Sequence, residues 1–87
     1  MPWQLEILPD AERDLLRLDP PVRRRILSKL VWFRENFDTL VPENLSVPLR
    51  GFYRLRVGDY RVVYDIERDS GTLVVHAVGH RREIYER

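Results

Sequence analysis

The sequence contains no cysteine, which excludes disulfides and a thiolate metal cage. It also lacks an apolar run of about 18 residues, the length that a membrane-spanning helix needs, so we predict no contact with a membrane. Residues 1–8 alternate polar and apolar side chains and include Glu6, unlike the basic start and continuous apolar stretch of a secretory signal. We therefore expect a cytoplasmic protein whose fold rests on its apolar core, without a metal or cofactor.

Lysine and histidine are also scarce, because 14 of the 15 basic residues are arginine and only His76 and His80 are histidine. A length of 87 residues allows one domain, which we place at residues 1–87. The net charge of +1 favours no class of partner. Its distribution is more informative, since residues 50–61 carry four arginines and one acid, Asp59.

The hydrophobic periodicity predicts one strand and two helices in the first half of the chain. Residues 3–7 alternate as a strand does, and this strand ends at Pro9. A short helix from Asp10 to Asp19 buries Ala11, Leu15 and Leu18. A longer helix follows, with Asp19 as its cap and a buried stripe of Val22, Ile26, Leu30, Phe33 and Phe37.

The second half of the chain has the pattern of a β-meander. Residues 38–49 contain two prolines and predict a loop. Strands are expected at 52–57, 60–66 and 73–78, with Gly58-Asp59 as a two-residue hairpin turn. The order β-α-α-β-β-β predicts an α+β fold, an antiparallel meander sheet with two N-terminal helices packed on one face.

The hairpin turn fixes which side chains share a face of the sheet. A turn at Gly58-Asp59 places Arg56 opposite Arg61, and alternation then sends Arg54, Arg56 and Arg61 to the face away from the core. Like charges opposite one another are destabilising. Two interpretations follow: the arginines pair within the chain, or they form a phosphate-binding surface. The carboxylates available for pairing are Asp59, Asp65, Glu83 and Glu86.

A second cluster, GHRREIY at residues 79–85, follows the last strand. It offers cations for a phosphate, an aromatic ring for a base and titratable groups for proton transfer. The outer face of the second helix carries Arg23, Arg24, Lys29 and Arg34, and it is either a solvated surface or a binding face. Trp32 is likewise either a core or partner-contact residue or a base-stacking platform.

Three segments together resemble the RelE family of toxins, within the wider RelE/ParE toxin-antitoxin superfamily. They are PLRG at 48–51, YRLRVGDYRVVY at 53–64 and VGHRREIY at 78–85. The resemblance covers nearly the whole chain. It implies a toxin that enters the ribosomal A site and cuts the mRNA codon there, through attack of a 2′-hydroxyl on the adjacent phosphate.

The resemblance also implies roles for individual residues. By motif position the catalytic residues are Arg61, Arg81 and Tyr85. Residues that bind RNA or phosphate are Arg50, Arg54, Arg56 and Arg82. The guanidinium groups would stabilise charge on the phosphoryl oxygens and the leaving oxygen, and Tyr85 would orient the reacting groups.

One departure from the family pattern leaves the general base open. Active members often carry lysine in the segment that reads YRLR here, and a guanidinium stays protonated at neutral pH. The proton carrier is then His80, Glu83, the Tyr85 phenol or the ribosome. A structural role is the alternative for His80 and our interpretation of His76.

The superfamily supplies rival functions and a partner. A ParE-like toxin with this fold would bind and inhibit DNA gyrase without cutting RNA, and an inactive or DNA-associated module is a third reading. The Arg81 and Tyr85 pair favours the RNase. As partners we expect the ribosome with its mRNA, and an antitoxin from a neighbouring gene whose acidic or amphipathic segment covers the arginine face.

Overall fold

The structure, a computed structural model, describes residues 2–44 and 51–84. Two helices, α1 (Pro9–Leu16) and α2 (Pro20–Asn36), follow the first strand, β1 (Gln4–Ile7), and a short 3-10 helix (Phe37–Thr39) continues from α2. Four more strands complete the described elements: β2 (Glu43–Asn44), β3 (Tyr53–Val57), β4 (Tyr60–Glu67) and β5 (Thr72–His80). The α+β class and the order of the main elements are as predicted.

The sheet departs from the prediction at both edges. Its strand order is β1-β5-β4-β3-β2, and β1 runs parallel to β5, so only the other pairs are antiparallel. The parallel pair arises because the chain crosses from β1 through the helices before it returns to the sheet. The short strand β2 lies within the predicted loop 38–49, where its two residues pair with Arg54 and Tyr53.

The predicted hairpin register is confirmed. Val57 pairs with Tyr60 and Arg56 with Arg61, across a turn formed by Gly58 and Asp59. Gly58 has a φ of +59° and no non-glycine residue among those described has a positive φ, which fits a type II′ turn with glycine in its first central position.

A β-bulge in β5 sets the register of the last two strands. Val63 pairs with Ala77 but Tyr64 pairs with Val75, which leaves His76 as the extra residue. The bulge keeps Val75 and Val78 on the same, buried face although they are three residues apart. Beyond the bulge the shifted register places Tyr60 opposite His80.

Both helices bury their apolar stripes against one face of the sheet, as predicted. Ala11 and Leu15 of α1, and Ile26, Leu30 and Phe33 of α2, join one core cluster with β-strand residues. The described strand residues in this cluster are Val57, Val62, Tyr64, Leu73, Val75 and Val78. Asp19 occupies the N-cap position of α2, but its side chain makes no capping hydrogen bond, contrary to the prediction.

Helix α1 also protects the edge of β5 beyond the end of β1. The Asp14 side chain is buried, and its Oδ2 accepts a hydrogen bond from the Val78 backbone N–H at 2.9 Å. A carboxylate thus takes the place of a strand carbonyl at this edge. Within the described ranges, neither helix is long and apolar enough to cross a membrane.

Candidate functional site

The predicted arginine face lies on the side of the sheet away from the helices. Arg56 and Arg61 are direct cross-strand partners, and cross-strand partners project from the same face. Arg56 is exposed and Arg61 is half-buried. The residue opposite Arg61 on β5 is Gly79, so no side chain of β5 covers Arg61 at that register position. The open face therefore presents two neighbouring cations.

Arg61 is held by the turn that precedes it. Its Nη1 donates to the carbonyl oxygens of Gly58 and Tyr60, both at 2.8 Å. These bonds hold the guanidinium of Arg61 against the backbone of the hairpin turn. Two carbonyl dipoles also offset part of the repulsion between Arg61 and Arg56.

Arg81 reaches the same turn from the end of β5. Its backbone N–H donates to the Asp59 carbonyl oxygen at 2.8 Å, and its Nε lies 3.8 Å from Asp59 Oδ1. The side chains of Arg81 and Asp59 are 52% and 69% exposed, so solvent screens this pair. The Gly58-Asp59 turn thus gathers Arg61 and Arg81 although they are 20 positions apart in the chain.

His80 lies on the other face of the sheet. It pairs across the strands with Tyr60, which packs against the core, and the two rings are 5.5 Å apart in an edge-on arrangement. Its Nδ1 accepts a hydrogen bond from the backbone N–H of Arg82 at 3.2 Å. The structure therefore separates His80 from the Arg56 and Arg61 pair that it was predicted to assist.

The remaining predicted site residues are placed as follows. Arg54 is half-buried and shares the open face with Arg56 by alternation along β3. Arg82 and Glu83 are exposed in the turn after β5, where the Glu83 N–H donates to the His80 carbonyl oxygen at 2.9 Å. Arg50 and Tyr85 lie outside the described residues.

A second polar cluster occupies the opposite end of the open face. Asp65, one of the carboxylates considered as an arginine partner, instead lies with its Oδ2 2.6 Å from His76 Nε2. The Phe52 ring packs edge-on against the His76 ring, with centroids 4.8 Å apart. His76 therefore has the structural role that the sequence indicated, as the bulge residue held by a neighbouring strand.

Sequence reasoning missed the contribution of α2 to the hairpin turn. An ideal Cβ placed on Gly58 would lie 2.8 Å from Arg25 Nη2, so the guanidinium of Arg25 lies directly against the turn. Arg25 was not singled out from the sequence, because helical periodicity does not show where the surface of α2 meets another element. The contact brings a third guanidinium to the same hairpin turn.

The chemistry available at this site is electrostatic. Guanidinium groups from two strands and the turn after β5 converge on one hairpin tip, where planar forks suit the oxygens of a phosphate. No cluster of metal-ligating side chains occurs among the residues that the structure describes. The arrangement suits an anionic group and the stabilisation of negative charge that develops on it.

Comparison with known proteins identifies the family. The sequence matches the family described as ParE toxin of type II toxin-antitoxin system, parDE, over residues 5–85. It is 35% identical to Toxin RelG of Mycobacterium tuberculosis over 91 residues, covering 100% of both chains. The chain therefore belongs to the RelE/ParE family of type II toxin-antitoxin toxins.

Solved structures agree with this assignment. The fold matches the toxin-antitoxin complex RelBE2 from Mycobacterium tuberculosis with a TM-score of 0.72 and 32% identity, over 93% of this chain and 100% of that one. It matches a mutant of the E. coli toxin RelE in the free state with a TM-score of 0.75 and 26% identity, over 99% of this chain and 93% of that one.

Proposed function

We propose that this toxin is a ribosome-dependent endoribonuclease that cuts mRNA codons in the A site and thereby stops translation. The observation that carries the proposal is the convergence of Arg61 and Arg81 on the Gly58-Asp59 turn, beside Arg56 on the open face. The similarity to RelE toxins and to Toxin RelG supports the same reading. Because the ribosome and mRNA are cytoplasmic, we also propose a cytoplasmic location.

The proposed reaction needs charge stabilisation more than covalent chemistry. The 2′-oxygen attacks the adjacent phosphorus, the bond from phosphorus to the 5′-oxygen breaks, and the products are a 2′,3′-cyclic phosphate and a 5′-hydroxyl. Arg61 and Arg56 would bind the phosphoryl oxygens, and Arg81 would stabilise the leaving oxygen. A guanidinium retains its proton at neutral pH, so Arg81 acts as an electrostatic donor.

Two proton transfers complete the reaction. The 2′-hydroxyl loses a proton to a base, and the 5′-oxygen gains one. We do not assign the base to His80, since that ring faces Tyr60 on the other side of the sheet. The remaining candidates are Tyr85, the ribosome and Glu83, an exposed residue two positions after Arg81. Tyr85 would also orient the substrate by stacking on a base.

The rival function within the family is gyrase inhibition, since the matching family is described as ParE toxin. A protein inhibitor of gyrase needs a complementary surface but no convergent phosphate-binding groups. The structure of RelBE2 contains a toxin-antitoxin complex, and we propose that this chain also has a cognate antitoxin. An acidic segment of that antitoxin would neutralise the arginine face and block access of RNA.

The two functions are separated by their products in the cell. We expect expression of the toxin to arrest growth, and primer extension on a translated message to show new 5′ ends inside codons. Co-expression of the antitoxin should remove these ends. Intact mRNA together with inhibited gyrase supercoiling would favour the ParE-like function instead.

A further inference from the structure

We propose that α2 carries a second, non-catalytic RNA-binding surface, a groove that takes single-stranded RNA beside the segment to be cut. The inference deepens the proposed function, because it assumes that RNA is the ligand, but it concerns different residues. We call this surface the α2 groove. It measures about 720 Å³ and is lined by Arg24, Arg25, Ser28, Lys29, Trp32 and Gly58, among others.

The charge of the α2 groove is unbalanced. Residues 20–34 contain five basic side chains and no acidic one, although the chain as a whole carries 15 basic and 14 acidic residues. Arg23 is used structurally, since its Nε and Nη2 donate to the Leu15 and Leu18 carbonyl oxygens at 3.0 Å each. Arg24, Arg25 and Lys29 form no ion pair with any described residue, and none of the described lining residues is acidic. Among the described residues, the groove thus presents three cations without an acidic partner.

An aromatic ring lies within this field. Trp32 is 43% exposed, and Lys29 Nζ lies 4.0 Å from the centre of its ring. Surfaces that bind single-stranded nucleic acid combine a positively charged groove with aromatic rings on which bases stack. Lys29 and Trp32 supply both parts within one turn of α2.

The α2 groove is continuous with the candidate site on two sides. At one end Arg25 packs against Gly58, the residue whose carbonyl oxygen accepts a bond from Arg61. At the other end Lys29 and Trp32 also line a smaller groove of about 220 Å³, which reaches Arg54 and Arg56. A strand bound by the open-face arginines could therefore continue along α2, through two grooves whose described lining contains no acidic residue.

The lining favours RNA over an amphipathic peptide as the occupant. A peptide helix needs apolar pockets for side chains spaced three or four residues apart. The exposed aliphatic side chains of α2, Leu27 and Val31, do not line the α2 groove. Besides Pro21 and Val57, the groove offers cations and one aromatic ring, which match a phosphate backbone and its bases.

The test is the affinity of the full-length protein for a fluorescein-labelled single-stranded 12-mer of 2′-O-methyl RNA, measured by anisotropy without ribosomes. This RNA cannot be cut by its own 2′-oxygens, so the experiment is independent of the cleavage reaction. We expect Arg24→Ala and Lys29→Ala each to weaken binding roughly threefold or more, and to reduce the slope of log K against log salt by about 0.7 per lost phosphate contact. Trp32→Ala should weaken binding about fivefold or more, and Trp32→Phe should restore much of it.

The matched control is Arg68→Ala, which removes the same charge from the exposed turn between β4 and β5. Equal losses in Arg68→Ala and Arg24→Ala, or unchanged affinity in the α2 variants, would overturn the proposal. The proposal would also be overturned by α2 variants that keep their affinity for RNA and lose only their affinity for the antitoxin. If the toxin binds RNA through α2 but leaves mRNA intact, the proposed RNA-binding groove is supported and the proposed nuclease activity is wrong.

Discussion

Individual arginines differ in this protein according to what holds them. The guanidinium of Arg61 donates a hydrogen bond to the Gly58-Asp59 turn, whereas Arg81 is bonded to that turn through its backbone N–H and Arg68 lies exposed in another turn. Preorganised cations stabilise a transition state more than mobile ones, because they need no reorganisation as charge develops. We therefore propose that Arg61 and Arg81 take part in catalysis, whereas arginines such as Arg68 only add to the positive field.

Arg61→Ala and Arg81→Ala should each lower the rate of mRNA cleavage by roughly 10² or more, since each removes a proposed donor to the reacting phosphate. Single-turnover cleavage on programmed ribosomes measures this directly, with saturating toxin so that binding does not limit the rate. Arg68→Ala is the control and should cleave at the wild-type rate. Similar losses in all three variants would mean that the arginines act only through general attraction.

His80→Gln tests whether the histidine carries a proton. The variant keeps a hydrogen-bonding side chain but removes the imidazole, the side chain that ordinarily titrates nearest to neutral pH. We expect an unchanged single-turnover rate and pH profile, because His80 packs against Tyr60 on the face opposite to Arg61. Loss of one limb of the pH profile would restore His80 as the proton carrier.

At the scale of elements, the Gly58-Asp59 hairpin turn affects both the stability of the fold and the placement of arginine side chains. Gly58 and Gly71 both have positive φ, at +59° and +66°, but only Gly58 has a side chain packed where a Cβ would stand. Alanine in a left-handed conformation costs about 1–2 kcal/mol. Alanine at either position should therefore strain the backbone, but only alanine at position 58 should displace an arginine side chain, that of Arg25.

Gly58→Ala and Gly71→Ala should each lower the free energy of unfolding by about 1–2 kcal/mol in urea titrations, because each places alanine in a left-handed conformation. The contact with Arg25 should add little to the cost at Gly58, since the guanidinium is the flexible end of its side chain. Only Gly58→Ala should also weaken RNA binding, since it moves Arg25 away from the turn. Equal RNA affinity in the two variants would show that the contact between Arg25 and Gly58 has no part in binding.

A contact between two elements also completes the hydrogen bonding at the edge of β5, where Asp14 of α1 accepts from Val78. Asp14→Ala removes the acceptor for the buried Val78 N–H and should cost about 1–3 kcal/mol of stability. Asp14→Asn retains an acceptor oxygen and should recover part of this. Urea unfolding and amide exchange at Val78 measure the effect, with exposed Glu12→Ala as the control. An Asp14→Ala variant as stable as Glu12→Ala would refute the capping role.

Local patterns were sufficient to predict the main elements and the hairpin, but not the short strand β2 or the parallel pairing of β1 with β5. Period-two alternation and a glycine-containing turn fix which hairpin residues share a face, so the pairing of Arg56 with Arg61 followed from the sequence. The β4 to β5 register did not, because it depends on the bulge at His76. Without that extra residue His80 would not lie opposite Tyr60, and its face could not be assigned.

Across the whole molecule, charge placement matters more than net charge. The net value of +1 hides a band of cations that runs from Lys29 and Arg25 on α2 to Arg61 and Arg81 at the hairpin tip. The sequence revealed the strand arginines by alternation. It did not reveal their junction with α2, because that contact depends on how the helix lies across the sheet.

The central claim is that these arginines promote attack by a 2′-hydroxyl on ribosome-bound mRNA. The most direct measurement is single-turnover cleavage of an end-labelled message on programmed ribosomes, with a matched message that carries one 2′-deoxynucleotide on the 5′ side of the cut phosphate. We predict that the all-ribose message is cut in the A-site codon, leaving a 2′,3′-cyclic phosphate and a 5′-hydroxyl, and that the deoxy message stays intact. Cleavage of the deoxy message at the same position, or no cleavage of either message, would contradict the account.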